Sequence, residues 1–364
     1  MNPVRPLYSG AISGWWLEAL KLRYRHVRMD TSLFEYDLPA HAIAQVAIEP
    51  RDAARLLVAD TLENRLFTDL PSLLDPGDLV VVNNTRVRPA RIRATKETGG
   101  AVEVLLTKRI DQTRWEALVR PARRVRSGTR MTADSLQMTV MTGPDRGVVT
   151  MEIAADADVD DLLPGLGEVP LPPYFHGTLD DDDRYQTMFA RAAGSAAAPT
   201  AALHFTPAVV AELRSRGIHI AEVELDVGLD TFRPMADGPI SDHQMHRERY
   251  SIPPSTVTAV AAAKEAGSRV VAIGTTVVRT LETAVGEDGH LQAGDGSTDL
   301  FVTPGYQPRI VDAMVTNFHA PGTTLVVMIA ALIGPGWRAV YDHALESGYR
   351  FLSFGDAMFI EIES

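Results

Sequence analysis

The segment Arg269-Val-Val-Ala-Ile-Gly-Thr-Thr-Val-Val-Arg-Thr-Leu-Glu282 reads as a buried strand that runs into Gly274 and turns at once into a helix, with Thr275 or Thr276 as its cap. Such a junction aims free N–H groups and the positive end of the helix dipole beyond the carboxyl edge of a sheet, where α/β proteins hold ligands. The chemistry it suits is binding of a carboxylate or phosphate. Arg279 is expected on the first helical turn, within reach of the same anion. The segment is neither G-x-G-x-x-G nor a P-loop, so a dinucleotide or nucleoside-triphosphate site is not indicated.

Three further clusters carry reactive side chains. The small-residue run Ala198-Pro-Thr200-Ala-Ala-Leu-His204-Phe205-Thr206 lets a backbone approach a ligand closely, and Phe205 could stack on a base. Leu225-Asp226-Val-Gly-Leu-Asp230-Thr-Phe-Arg233-Pro234 sends two carboxylates and an arginine off a strand end, as acid–base partners or as ligands for ribose hydroxyls. Thr316-Asn317-Phe-His319 follows an extended run. Asp226, Asp230, His204 and His319 are all open as the proton-transfer group. His243 and His246 are spaced like a metal pair, but no third-ligand motif accompanies them, and no metal is expected. No G-x-S-x-G elbow is present to anchor a hydrolase triad.

The elements that must position these groups are legible in outline. The 364 residues suit two or three domains, and the apolar share of 45% can fill a core unaided. There are no cysteines, which excludes disulfides, thiolate metal sites and a thiol nucleophile. Residues 1–28 lack the apolar stretch of a secretory signal; they read as an extension, with a helix around Trp15–Leu22 as one option and Met29 as an alternative initiator. The longest apolar run, Leu325–Ile333, is about half of a bilayer span, so a cytoplasmic protein is expected. Residues 29–87 and 159–364 are assigned to an α/β domain. Strands are expected at Asp78–Asn83, Ile218–Val227, Arg269–Ile273 and Ala357–Ile362. Helices are expected at Arg184–Ala193, Pro207–Arg216, Ser255–Ala266, Thr276–Val285, Leu325–Ile333 and Gly336–Glu346. Residues 88–158 show short strands between turn residues and read as an inserted small β-barrel.

The net charge of −12 disfavours a polyanionic partner until its distribution is considered. Between Arg86 and Arg130 there are 13 basic residues against four acids, Glu97, Glu103, Asp111 and Glu116. Where these cations alternate with apolar residues they would line one side of a strand, as phosphate contacts require.

These strings resemble one family. Phe34-Glu-Tyr-Asp-Leu-Pro39, Asn83-Asn-Thr-Arg-Val87, Trp115-Glu-Ala-Leu-Val-Arg-Pro-Ala-Arg123, Pro170-Leu-Pro-Pro-Tyr174, Leu203-His-Phe-Thr206, Thr231-Phe-Arg-Pro234, Val278-Arg-Thr-Leu-Glu282, Pro304-Gly-Tyr306, Thr316-Asn-Phe-His319 and Gly355-Asp-Ala-Met358 occur in order over residues 30–362. They are similar to the S-adenosylmethionine:tRNA ribosyltransferase-isomerases of queuosine biosynthesis. The resemblance implies an α/β domain with an inserted β-barrel. It also implies transfer and isomerisation of the ribosyl part of S-adenosylmethionine, a co-substrate, onto the aminomethyl group of a 7-deazaguanine in tRNA, with adenine and methionine released and no metal. A base would remove a proton made acidic by the sulfonium. On this reading Thr200, Phe205, Arg233, Gly274, Thr275, Thr276, Arg279, Asn317 and Tyr306 bind the donor. Arg86, Arg91, Arg120, Arg123, Arg124 and Arg126 of the basic β segment contact the anticodon stem-loop.

The chain departs from the family pattern at four places. Asp226 stands where His is usual, Asp230 and Ala202 where Gly is usual, and Gly322 where Lys is usual. Trading an imidazole for a carboxylate changes charge and proton affinity at pH 7. Two alternatives therefore stay open: a paralogous S-adenosylmethionine-consuming transferase or lyase with a small-molecule acceptor, and a tRNA-binding protein without catalysis.

Overall fold

A computed structural model describes residues 29–145, 147–177, 179, 181–228 and 233–362; the expectations for residues 1–28 and for Asp230 lie outside them. In chain order the first elements are β1 (Arg55–Val58), β2 (Glu63–Leu66), β3 (Leu79–Asn83) and β4 (Thr85–Val87). Then come β5 (Arg91–Lys96), β6 (Ala101–Arg109), β7 (Arg114–Arg120), β8 (Arg130–Ala133), β9 (Leu136–Asp145) and β10 (Val148–Ala154). They are followed by α1 (Val159–Leu166), β11 (Ala192–Ser195), α2 (Pro207–Ser215), β12 (His219–Leu225), β13 (Glu248–Ile252), α3 (Pro254–Glu265), β14 (Val270–Ile273) and α4 (Thr275–Thr283). The chain closes with β15 (Gly294–Thr298), β16 (Ala313–Asn317), α5 (Thr324–Ile333), α6 (Trp337–Glu346) and β17 (Ala357–Glu361).

Nine strands form one mixed sheet in the order β15-β13-β12-β3-β14-β16-β17-β1-β2. β12, β3, β14 and β16 run parallel to one another, so Leu225, Asn83, Ile273 and Asn317 end on one edge, while β13 and β17 flank them antiparallel. The near-continuous apolar composition of β3, β14 and β16 follows from burial on both faces, whereas β12 alternates. Leu79, Val81, Val270, Ala272 and Met314 face a cluster shared with α3 to α6, whereas Val80, Val82, Val271, Ile273 and Val315 face one shared with α2. Thr206 caps α2 through its hydroxyl with Pro207 at the first turn, and Gly217 at φ +75° follows the helix, as the sequence signals require.

Strands β5–β10 close a six-stranded barrel in the order β10-β7-β6-β5-β8-β9. The expected alternation is present: Ile92 and Ala94 point inward from β5 while Arg91 and Arg93 point outward, and Trp115, Ala117 and Val119 do the same against Arg114 and Arg120 in β7. Val159 and Leu163 of α1 join the barrel's apolar cluster.

Two expectations differ from what is found. Arg184–Ala193 is not a helix: a short 3-10 turn (Asp182–Tyr185) is followed by extended chain and β11, which pairs with β4. Gln186 explains the break, because its side chain bonds both the N–H and the C=O of Val87. The apolar run at Leu325 also extends further than it reads. α5, a Gly334-Pro-Gly336 turn and α6 make 23 helical residues, long and apolar enough for a span, and 56% of the most apolar window is buried in the protein's own core.

Candidate functional site

Gly274 ends β14 at φ +92°, a value that only glycine adopts without strain, and no side-chain cap closes the helix that follows. The amide groups at Thr275 and Thr276 thus open onto a cleft of about 590 Å3 at the carboxyl edge of the sheet. Its other walls come from Ala198–Ala201, from Thr316–Ala320 at the end of β16, and from Tyr174, Val227, Leu325 and Ser353. Asn317 fastens two of these walls together. Its Oδ1 accepts from the Thr200 hydroxyl at 2.8 Å, and its Nδ2 lies 3.4 Å from His204 Nε2.

His319 is the cleft's distinctive side chain. It is 7% exposed, its Nε2 lies 3.2 Å from the Thr316 hydroxyl, and its Nδ1 has no hydrogen-bond partner among the described residues. Burial drives its pKa down to about 3, so the imidazole is neutral at pH 7. Its backbone is clamped on both sides: the N–H donates to Tyr341 Oη at 3.2 Å and the C=O accepts from the Tyr36 hydroxyl. Thr276 Oγ1 is a second buried polar atom without a partner in the same cleft. Sequence reasoning singled out His319 and Thr276 but missed Thr316, Tyr36, Tyr341 and Tyr174. All four lie in strings quoted above or in α6; Thr316 is three residues and Tyr341 22 residues from His319, but Tyr36 is 283 residues away and Tyr174 is 179 from Ser353, distances that no spacing rule joins.

Beside this cleft lies a wider one of about 1520 Å3. Leu325 lines both, and Val227 lines the first where its neighbour Gly228 lines the second. Arg233 is exposed at the wider cleft, and Arg279 and Glu248 form part of its wall.

Several sequence-chosen residues are placed otherwise than expected. Arg279 falls on the second turn of α4, and it is only 3% exposed. Its guanidinium pairs with Glu248 and donates to the carbonyls of Leu300 and Thr298, so its charge is already met inside the protein. Phe205 is 1% exposed and packs edge-on against Phe67 and Phe189, with ring centroids 5.1 and 5.4 Å apart; it is a core residue and cannot stack on a base. His204 lies in the same cluster, 5.1 Å from the Phe67 ring and behind the cleft wall, and burial lowers its pKa to about 3. Tyr306 is at the far end of α4, where its hydroxyl donates to Glu282 at 3.0 Å. Gly274, Thr275, Thr276, Thr200, Asn317 and His319 are the chosen residues that the fold brings together.

The described departures from the family pattern stand outside both clefts. The Asp226 carboxylate packs against the Cα of Gly194, and burial raises its pKa while Arg88 and Arg249 oppose the rise. Ala202 is fully buried in the core. Gly322 adopts φ +65°, and a side chain there would run into the Glu35 carboxylate. Asp226, Ala202 and Gly322 alter the surroundings of the site, not its lining.

The basic segment divides in two. Arg86 pairs with Asp183, Arg88 with Asp160, Arg93 with Glu168, Arg109 with Asp158 and Asp160, and Arg114 with Asp111. Arg91 is half-buried, with Nη2 3.4 Å from the Leu171 carbonyl. Arg120, Arg123, Arg124 and Arg126 are exposed along the end of β7 and the turn after it, and no ion pair engages them among the described residues. Among the described residues no group of three His, Asp or Glu is arranged to hold a metal ion.

Comparison with known proteins points the same way. A family model described as "Queuosine biosynthesis protein" matches residues 31–360. A protein of Symbiobacterium thermophilum is 47% identical over 340 residues, covering 91% of this chain and all of the relative. One of Heliobacterium modesticaldum is 45% identical over 348 residues, again covering 91% of this chain and all of the relative. Both are named S-adenosylmethionine:tRNA ribosyltransferase-isomerase. The crystal structure of an S-adenosylmethionine tRNA ribosyltransferase from Thermotoga maritima superposes with a TM-score of 0.52 at 34% identity, covering 90% of this chain and 99% of that one. These names match the tRNA reading rather than the small-molecule alternative. The chain belongs to the S-adenosylmethionine:tRNA ribosyltransferase-isomerase family of queuosine biosynthesis.

Proposed function

We propose that this chain transfers and isomerises the ribosyl part of S-adenosylmethionine onto the aminomethyl group of a 7-deazaguanine in tRNA, with release of adenine and methionine. The donor occupies the narrower cleft. Its polar atoms meet the open amides of Thr275 and Thr276 and the hydroxyls of Thr276 and Thr200. His319 Nδ1 is the base that takes the proton acidified by the adjoining sulfonium. The observation that carries this reading is the buried, neutral imidazole, its Nδ1 unpartnered among the described residues, in the wall of the same cleft as an uncapped helix start. An uncharged base beside a sulfonium avoids like-charge repulsion, and a dry wall strengthens the contacts made there. Thr316 and the two tyrosines keep the ring and its backbone in place.

Arg120, Arg123, Arg124 and Arg126 offer an exposed cationic face for the phosphates of the tRNA. Ion pairing of Arg86 and half-burial of Arg91 make them weaker contributors to that face. The test is adenine release from S-adenosylmethionine in the presence of deazaguanine-modified tRNA. His319→Asn should slow release 10²- to 10⁴-fold, the usual contribution of a positioned base, with donor affinity retained in calorimetry. A wild-type protein that releases no adenine defeats the reading, and an active His319→Asn protein removes His319 from its role.

A further inference from the structure

The wider cleft has no occupant in the reading so far, and three of its features define one. It holds about 1520 Å3 against about 590 Å3 for its neighbour, and the two meet at Val227–Gly228 and at Leu325. A small donor fits the smaller cleft, but a nucleotide that remains part of a polymer must enter and leave with its backbone attached, which needs the larger one. The linings also differ in charge. Among the described residues the narrow cleft is lined by no Asp, Glu, Lys or Arg, whereas Arg233, Glu248 and Arg279 line the wide one together with His243 and His246. Glu248 is the one carboxylate lining either cleft among the described residues. Its Oε1 accepts the N–H of Gly228 at 2.8 Å, which sets it at the junction of the two. An acceptor that carries an amine finds there a carboxylate oxygen able to accept a further hydrogen bond, its charge balanced by Arg279, at the point from which the amine must reach the donor sugar.

The third feature is the apolar surface. Met235 and Met328 are buried beneath the cleft, and Phe301 is half-buried with its ring 5.5 Å from that of His243. Flat, polarisable faces of this kind receive an unstacked base, and bases of an RNA loop are cheaply turned outward because no pairing is broken. We propose that the wide cleft seats the acceptor nucleotide of the tRNA, with its purine-like base against Phe301 and Met328, its amine toward Glu248 and its phosphates at the rim near Arg233. This assignment rests on the donor occupying the narrow cleft.

The experiment is steady-state adenine release by the full chain, with tRNA and S-adenosylmethionine varied separately, for Phe301→Ala and Phe301→Tyr. Phe301→Ala should raise the KM for tRNA at least tenfold and leave the donor Kd, measured by calorimetry, unchanged; Phe301→Tyr should restore the wild-type KM. His243→Ala, at the ring that packs against Phe301, should act in the same direction and guards against a folding defect at Phe301. Weakened donor binding with an unchanged KM for tRNA overturns the proposal, as does equal weakening of both, or no change in either. Failure of the underlying reading is a different result: wild-type protein that releases no adenine at all.

Discussion

The two ends of α4 are built on opposite terms. At its amino end the cap is a glycine, the first amides face a cleft, and Thr276 Oγ1 and the neighbouring His319 Nδ1 are buried without partners. At its carboxyl end Glu282 is 1% exposed, and its carboxylate accepts from the Tyr306 hydroxyl and from the amides of Arg309, Ile310 and Val311 at 2.9–3.0 Å. Every bond that Glu282 makes closes the fold upon itself. A buried polar atom without a partner costs free energy, a cost that a ligand bound beside it can offset. On the proposed reading the carboxyl end serves stability and the amino end a ligand.

Glu282→Ala tests the first half of that contrast. Buried amides and a hydroxyl lose their acceptor at about 1–3 kcal/mol each, so the loss of unfolding free energy should be roughly 5 kcal/mol in a urea titration. Adenine release per folded molecule should stay near wild type; a variant that folds normally would show that the network adds little. Arg279→Met should follow, at about 3–5 kcal/mol, because it strands the Glu248 carboxylate at a buried position. If Arg279→Met instead weakens donor affinity while stability holds, the arginine belongs to the ligand end after all.

A pH series sharpens the comparison of the two imidazoles. His204 and His319 both have pKa values lowered to about 3 in the folded chain, by burial above all. The unfolded chain takes up those protons near pH 6.5, so stability is fully present above that value and falls steadily as pH drops toward 3. Adenine release by folded protein should show no loss with a midpoint near pH 6.5. Such a midpoint would mean that the His319 ring is solvated in the working cleft. The smallest effect is expected far from α4. Arg123→Gln with Arg124→Gln should raise the tRNA Kd modestly and reduce the slope of its salt dependence by about 2, leaving donor binding alone. An unchanged slope would take the barrel turn out of the interface.

How much of this was legible depended on whether the relevant partners were close in sequence. Gly274 between an apolar strand and a helix announces an open helix start through local rules alone, and it is one. The outward arginines of β5 and β7 follow from period-two alternation. What alternation does not give is their neutralisation, since Asp158, Asp160, Glu168 and Asp183 arrive from later segments. Arg279 misled for the same reason: its position in α4 is local, but Glu248 comes from β13, across the sheet. Phe205 looks like a stacking residue in a small-residue loop until Phe67 and Phe189 enclose it. The pairing of Thr200 with Asn317 depends on the order of the strands, which no window of sequence contains.

The barrel's attachment to the rest of the chain carries its own consequence. Arg91, at its entrance, and Glu168, just past α1, exchange backbone hydrogen bonds at 3.1 and 2.8 Å, and β4 lies alongside β11. The Arg93–Glu168 ion pair and the Arg91–Leu171 contact sit at the same place, so the path out and the path back share one doorway. Severing the chain at that doorway and bridging it with a short turn would remove the lobe without lengthening any connection in the sheet. The barrel and the sheet could in this way be inherited, exchanged or lost separately.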